Sequence, residues 1–553
     1  MKIIDSKIVD CNWEEFSKIP GLDCNLGYAA LLGLSRETSK PHIYDFSLKR
    51  ELDRGTTLAV ALALKEYIQR EFPTQKRIGI ALPSCFPGIV VNLAVQMAGK
   101  SSVNVNFTMG EDAAKAAYER VGLECIIGSN KVREKVDEHC KNYPWTDDFR
   151  DIADILKSLG KKAILPKLIM VKLMPAKFLA WYYKIPKVGG DKEASIIFTS
   201  GSEGAPKAAM LTHRNLVANA HQIEEVHLVV GNCDTLLANL PLFHSFGQTI
   251  QVWFTSMFKV AQVTVQSPLE VQANLKAIKE RGATVIISTP TFLRSYYKKA
   301  TSADFPKLKN VIAGAEKTPE GFAEAWMAKF PSVRYLEGYG LTEASPVVAV
   351  NLPSDIPPRR FGNPNGQARK HSVGELFPGM QAAIVSPETG EFLEIGKVGL
   401  LYLKGDNVFK GYYNQPEEDK KRFDRGWLNT GDLAMLDEDG FIYIKGRISR
   451  FSKIGGEMVP HYTVEAAIIK ALGIENSEKN LVAIGSRPDS AKGEALVLLS
   501  AIDIDMAYLR QKLVAAGLPN LWIPKQIVRL DEIPVLSTGK LDLGKIQKIC
   551  KFS

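Results

Sequence analysis

Six residues that could hold a phosphate chain crowd into nine positions. Thr199, Ser200, Gly201, Ser202, Gly204 and Lys207 follow the apolar run Ile196, Ile197, Phe198. Glycines let successive backbone N–H groups converge on one concavity, hydroxyls donate to oxyanions, and a lysine adds positive charge. A helical pattern resumes after Thr212, a residue suited to an N-cap. The spacing is not the GxxxxGK[ST] phosphate loop: the two glycines and the lysine stand three apart, and no Ser or Thr follows Lys207. Taken alone, the stretch reads equally well as a solvated Ser/Gly loop.

Other chemistry-bearing clusters follow in order: 241–247 (PLFHSFG), 314–317 (GAEK), 339–343 (YGLTE), 430–432 (TGD), 446–447 (GR) and 537–540 (STGK). With 199–207 (TSGSEGAPK), this series resembles the adenylate-forming superfamily, which includes acyl-CoA synthetases, acyl-acyl-carrier-protein synthetases, luciferases and peptide-synthetase adenylation domains. The finer spellings TSGSEG, PLFHSFG, AGAEK, LEGYG and KIGGEMV are most similar to the acyl-carrier-protein synthetases. That branch includes the synthetase half of bifunctional lysophospholipid-recycling enzymes. The HxxxxD signature of their acyltransferase half does not occur in this sequence.

The resemblance implies an ATP- and Mg²⁺-dependent ligase. It would convert a fatty acid to an acyl-adenylate and pass the acyl group to the phosphopantetheine thiol of acyl carrier protein. Coenzyme A is the alternative acceptor, and a catalytically silent nucleotide- or lipid-binding scaffold is a rival from another class. Implied roles follow residue by residue. Thr199, Ser200, Gly201, Ser202, Gly204 and Lys207 would hold the β- and γ-phosphates. Thr342 would contact the α-phosphate, and Glu343, with Thr199, would hold Mg²⁺. Gly314, Ala315 and Glu316 would line the adenine site, with Tyr339 and Gly340 at the purine. Asp432 and Arg447 would meet the ribose, and Lys540 would bridge carboxylate and α-phosphate. His244 would gate the acyl tunnel or serve as a satisfied structural histidine. Lys453 and Gly456 would enter the site for thiol transfer. Ala208 and Ser449 depart from the usual pattern, which has glycine after the PK pair and Asp or Lys at the hinge.

Activating a carboxylate is mostly positioning and charge neutralisation, so the supporting elements matter. Alternating strand and helix patterns over 78–127 imply a parallel sheet flanked by helices. Further strand-to-loop junctions fall at 236–240, 283–288, 310–314 and 333–336, and ligands of α/β sheets gather where strands end. From 374 the composition turns β-rich. The expected organisation is a large α/β domain over 1–446 with a small barrel-like subdomain at about 374–446. A hinge follows at 447–449, and 450–553 forms a mobile α/β lid.

Bulk properties are those of a multidomain globular enzyme: 553 residues, 45% hydrophobic and 24% charged. Seven scattered cysteines form no CxxC pair, which indicates reduced thiols in a cytoplasmic compartment rather than zinc or disulfides. Neither a signal peptide nor a membrane-spanning run is expected. The net charge of +9 favours acidic partners such as nucleotide, anionic lipid or an acidic protein; a nucleic-acid partner is not expected. Between 155 and 190 stand eight lysines and no acid, interleaved with Phe178, Trp181, Tyr182 and Tyr183. This segment is open to three readings: peripheral membrane contact, carrier-protein docking, or an excursion packed on its own domain.

Overall fold

A computed structural model describes residues 1–199, 206–229, 231–353, 368–455, 457–474, 477, 479–489, 492–535 and 541–552, with the side chains of Ser449 and Met458 left aside. No ligand is present.

Two mainly parallel sheets form the large part of the molecule, as the alternating pattern implies. In one, Arg77–Ala81, Ser101–Asn104, Cys125–Gly128 and Glu193–Thr199 pair in parallel, and Lys207–Thr212 closes the edge antiparallel to Glu193–Thr199. In the other, Thr235–Ala238, Val285–Ser288, Asn310–Ala313 and Arg334–Gly340 run in parallel, with Ala261–Thr264 and Pro41–Asp45 beyond. Their apolar residues are buried on both faces, as helix-covered parallel strands require. The motif-bearing loops after 238, 313 and 340 therefore leave one edge of one sheet together.

The strand Lys207–Thr212 differs from the expected direct passage from loop to helix. The helix does begin at His213, and Thr212 caps it reciprocally with Asn215. The strand joins the sheet because Ala208, Ala209 and Leu211 are fully buried beneath it.

The β-rich stretch forms an antiparallel sheet of Met380–Val385, Val398–Gly405, Trp427–Leu436 and Ile442–Arg447. It also recruits Ile8–Asp10 from the weakly patterned N-terminus. The smaller C-terminal part carries its own sheet, in which Gly493–Ser500 pairs with Val482–Asp489, Phe451–Ile454 and Gln526–Arg529. Its core is separate, built around Val464, Ile468, Ile484, Leu498 and Leu509.

Residues 155–190 pack on their own domain in part: Leu179, Ala180, Tyr183 and Ile185 are buried, while Trp181 and Tyr182 are exposed. Residues 155–182 are carried mostly by the helices Ile152–Leu173, kinked at Gly160, and Ala176–Tyr182, and 183–190 follow as non-helical chain with a bridge from Val188 to Cys24. Among the described residues, no helix is long and apolar enough to cross a membrane.

Candidate active site

Ser200, Gly201, Ser202, Gly204, Gly456 and Lys540 lie outside the described residues. Thr199 and Lys207 face each other across the hairpin that carries the Ser/Gly loop. The Lys207 ammonium pairs with Glu418 and sits 5.5 Å above the Tyr412 ring. Ala208 donates its N–H to Gln415 Oε1 at 3.0 Å and accepts from the Tyr413 N–H at 2.8 Å. Its methyl group is fully buried, so the change from glycine is absorbed by packing.

The segment 411–422 thus packs against Lys207 and Ala208, and it also reaches the acid of the YGLTE motif. Tyr412 donates its hydroxyl to Glu343 Oε1 at 2.5 Å, and the Arg422 guanidinium lies 3.9 Å from the same oxygen. Glu343 is buried. Burial and the neighbouring Glu343 charge push the Tyr412 phenol well above its ordinary range, so it stays a donor. Thr342 opens a short 3₁₀ turn, and its hydroxyl is 3.2 Å from that of Ser245 in the PLFHSFG motif. The two motifs, nearly a hundred residues apart, meet there. Asn407 fixes the end of the turn by donating to the Ala344 carbonyl at 2.8 Å.

A second cluster forms beside it. Asp432, buried at the bend of strand Trp427–Leu436, accepts from Arg447 Nε at 2.8 Å through Oδ1 and from the Tyr339 hydroxyl at 2.5 Å through Oδ2. Burial and the Asp432 charge hold the Tyr339 phenol far above its ordinary value. Each carboxylate oxygen has a second lone pair, so the clamp leaves Asp432 able to accept from a ribose hydroxyl.

Gly314 follows its strand with its N–H donated to the Ser288 carbonyl at 3.0 Å. Ala315 takes a left-handed conformation, φ 68°, uncommon for a residue with a side chain. Glu316 Oε2 accepts from the Thr291 hydroxyl at 2.6 Å, while Oε1 is buried with no partner among the described residues. Gly340 has a packing reason of its own: a Cβ there would stand 2.3 Å from the Pro346 carbonyl oxygen. His244 is half-buried ahead of the helical turn Ser245–Gly247, which continues as a π-helix over Gln248–Phe254, a form often found near functional sites. Lys453 is not gathered with these residues. It is the exposed residue of the strand Phe451–Ile454 in the C-terminal part, its ammonium 3.9 Å from Glu388.

Among the described residues no group of three His, Cys, Asp or Glu side chains could cage a metal. A single carboxylate, with Tyr412 and Arg422 both on its Oε1, suits a hard cation that takes its remaining ligands from phosphate oxygens and water. Glu343 fits Mg²⁺ in that way. Tyr412, Glu418 and Arg422 contact Glu343 and Lys207 without belonging to any of the motifs. Their only signal is a polar and aromatic run, GYYNQPEEDKKR, ahead of the TGD motif.

The family described as "AMP-binding enzyme" matches residues 57–413, more than half of the chain. A probable CoA ligase of Humulus lupulus is 29% identical over 376 residues, 67% of this chain and 62% of that protein. A long-chain-fatty-acid–CoA ligase of Salmonella typhimurium is 27% identical over 506 residues, 87% of this chain and 86% of its own length. Among solved structures, ATP-bound MatB from Rhodopseudomonas palustris superposes with TM-score 0.75 at 22% identity, covering 95% of this chain and 99% of that one. The Bacillus subtilis o-succinylbenzoate CoA synthetase with its acyl-adenylate gives 0.74 at 20% identity, covering 95% and 98%. These structural matches establish the α/β fold.

Proposed function

Because the chain belongs to the AMP-binding enzyme family, we propose that it is an AMP-forming acid–thiol ligase that activates a fatty acid with ATP and transfers the acyl group to a phosphopantetheine thiol. The observation that supports this most is the meeting of three distant motifs where the end of a parallel strand, Arg334–Gly340, faces the antiparallel strands Trp427–Leu436 and Ile442–Arg447. Asp432 is clamped by Tyr339 and Arg447, with Thr342 and the buried Glu343 carboxylate on the neighbouring turn.

In this reading Thr199, Lys207 and the intervening Ser200, Gly201, Ser202 and Gly204 hold the outer phosphates. Lys207 exchanges Glu418 for them. Thr342 meets the α-phosphate, and Glu343 and Thr199 hold Mg²⁺, which would supply charge neutralisation at the phosphates. Asp432 and Arg447 hold the ribose; Tyr339, Gly340 and 314–316 border the purine; His244 faces the acyl chain. Lys540 neutralises the charge that develops between the carboxylate and the α-phosphate. The hinge falls at 447–449, between Arg447, held to Asp432 in the large domain, and Arg450, held to Glu465 in the lid. Rotation there would replace Lys540 by Lys453 and Gly456, so that one pocket runs two reactions in sequence.

Coenzyme A is the first reading for the acceptor, because similar proteins are named as CoA ligases. Acyl carrier protein is the second, favoured by the TSGSEG, PLFHSFG and KIGGEMV spellings. No disulfide links the seven cysteines, which suits a reducing cytoplasm. A peripheral contact of 155–190 with a membrane belongs to the same reading. The deciding experiment offers long-chain fatty acid, ATP and Mg²⁺ with each acceptor separately. Thioester on coenzyme A alone supports the first reading and thioester on carrier protein alone the second. Thioester on neither, with no AMP released, would refute the ligase.

A further inference from the structure

The helices Ile152–Leu173 and Ala176–Tyr182 divide cleanly into two faces. The inner face is anchored: Val171, Leu179, Ala180, Tyr183 and Ile185 are buried, and Lys65 donates to the Tyr183 carbonyl. On the outer face Leu165, Ile169 and Leu173 recur at intervals of four, one stripe of a helix. Phe178, Trp181 and Tyr182 continue it on the second helix, at intervals of three and one. Leu173 is 72% exposed and Trp181 67%. The Phe178 ring stacks on Tyr182 at 6.1 Å and lies 5.6 Å from Trp181, so the aromatics cluster on the outside rather than packing inward. Of the twenty large hydrophobic side chains exposed among the described residues, eight fall within 165–188, so the patch is a concentration and not ordinary scatter.

Lysines surround this stripe. Lys161, Lys162, Lys177, Lys184 and Lys187 are exposed, and no acid occurs from 155 to 190. Lys172 is exposed 3.9 Å from Asp53, whereas Lys167 turns inward to Glu66 at 2.7 Å. A second copy of this chain would meet the face with like charge. An acidic protein would match the lysines but leave the leucine and aromatic stripe without a partner. A bilayer with anionic headgroups matches both, because lysines reach phosphates while Trp and Tyr rings settle at headgroup depth.

We propose that the outer face of Ile152–Leu173 and Ala176–Tyr182 docks on an anionic membrane surface. The apolar stripe enters the headgroup region and the flanking lysines meet lipid phosphates. The segment does not span the bilayer. This deepens the membrane contact in the functional reading, yet its test needs no ATP or acceptor, so the ligase reading and the docking face can fail separately.

The test is co-sedimentation of the full-length protein at low salt with phosphatidylglycerol-rich vesicles and with pure phosphatidylcholine vesicles. The expected result is binding to the first and not to the second. Lys161→Glu with Lys162→Glu and Lys177→Glu should weaken binding at least about a hundredfold, at roughly tenfold or less per charge near the surface. Leu173→Ser with Trp181→Ser should weaken it about tenfold through lost apolar insertion. Both variants should melt as the parent does and keep its adenylation rate on a soluble short-chain acid. Absence of binding to anionic vesicles, equal binding to neutral ones, or variants that bind as the parent does would each overturn the proposal. So would a charge variant that loses affinity for an acidic carrier protein while the apolar variant still binds vesicles normally.

Discussion

Glu343 and Lys207 carry the sharpest expectations at the scale of single residues. Glu343→Gln keeps the shape and can still accept from Tyr412, but it removes the charge proposed to hold Mg²⁺. Adenylate formation should fall at least about a hundredfold with the melting temperature little changed; a near-normal rate would remove Glu343 from the metal site. Lys207 is paired to Glu418, whose carboxyl the Lys207 and Lys421 ammonium groups hold below its ordinary value. A nucleotide must displace that carboxylate, so Glu418→Gln should lower the KM for ATP about threefold, the scale of a partly exposed ion pair. A raised KM would mean that Glu418 positions Lys207 instead of competing for it. Tyr339, Thr342, Glu343, Asp432 and Arg447 were legible in the sequence because each sits in a short motif. Tyr412, Glu418 and Arg422 were not. Their partners stand tens to hundreds of residues away, and strand order, which no local pattern encodes, brings them together.

At the scale of elements, the short connection from the large domain to the smaller C-terminal domain is held at both ends. Arg447 is fixed to Asp432, and Arg450 to the buried Glu465, which also accepts from the Ile484 N–H at 2.7 Å. Burial raises the Glu465 pKa despite that pairing, so the carboxylate depends on its arginine. Arg450→Ala should destabilise the C-terminal domain by about 3–5 kcal/mol, seen as an early unfolding transition. Arg450→Met with Glu465→Leu should recover most of that loss, because no charge is then buried unpaired. A single variant that melts like the parent would deny the clamp. The helix Glu111–Val121 is legible in the alternating pattern over 78–127, and the strand Arg334–Gly340 only in its first half, since 333–336 reads as strand and 337–340 as the loop that follows. Strand Lys207–Thr212 and the helices of 155–190 were not legible. The first is a short run whose partner strand defines it, and the second is a helix whose Gly160 and Pro166 break the local signal.

For the whole molecule, three of the eight histidines, His42, His213 and His461, are buried and a fourth, His221, is half-buried. Burial lowers His213 and His221 to about 4, and His42 and His461 to about 3, from 6.5. The unfolded chain takes up these protons near pH 6.5, and the folded one does so only near 4 or below. Stability is therefore fully present above 6.5 and is lost as pH falls toward 4, by up to about 1.4 kcal/mol per pH unit for each histidine. Denaturant midpoints at pH 7.5 and 5 should differ accordingly; a flat profile would contradict the burial. The sequence also hid how the N-terminal segment joins the β-rich sheet. Ile8–Asp10 is too short to announce a strand, yet it pairs with Met380–Val385 and ties the N-terminus to the β-rich sheet. The central claim spans all of this: the assembled cleft makes an acyl-adenylate, and a lid lysine outside the described residues completes it. Fatty-acid-dependent exchange of labelled pyrophosphate into ATP, measured for the parent and for Lys540→Ala, tests it most directly. The account predicts exchange only with fatty acid present and a loss of at least about a hundredfold in the variant, which should still pass supplied acyl-adenylate to a thiol. No exchange in the parent, or near-parent exchange in Lys540→Ala, would contradict it.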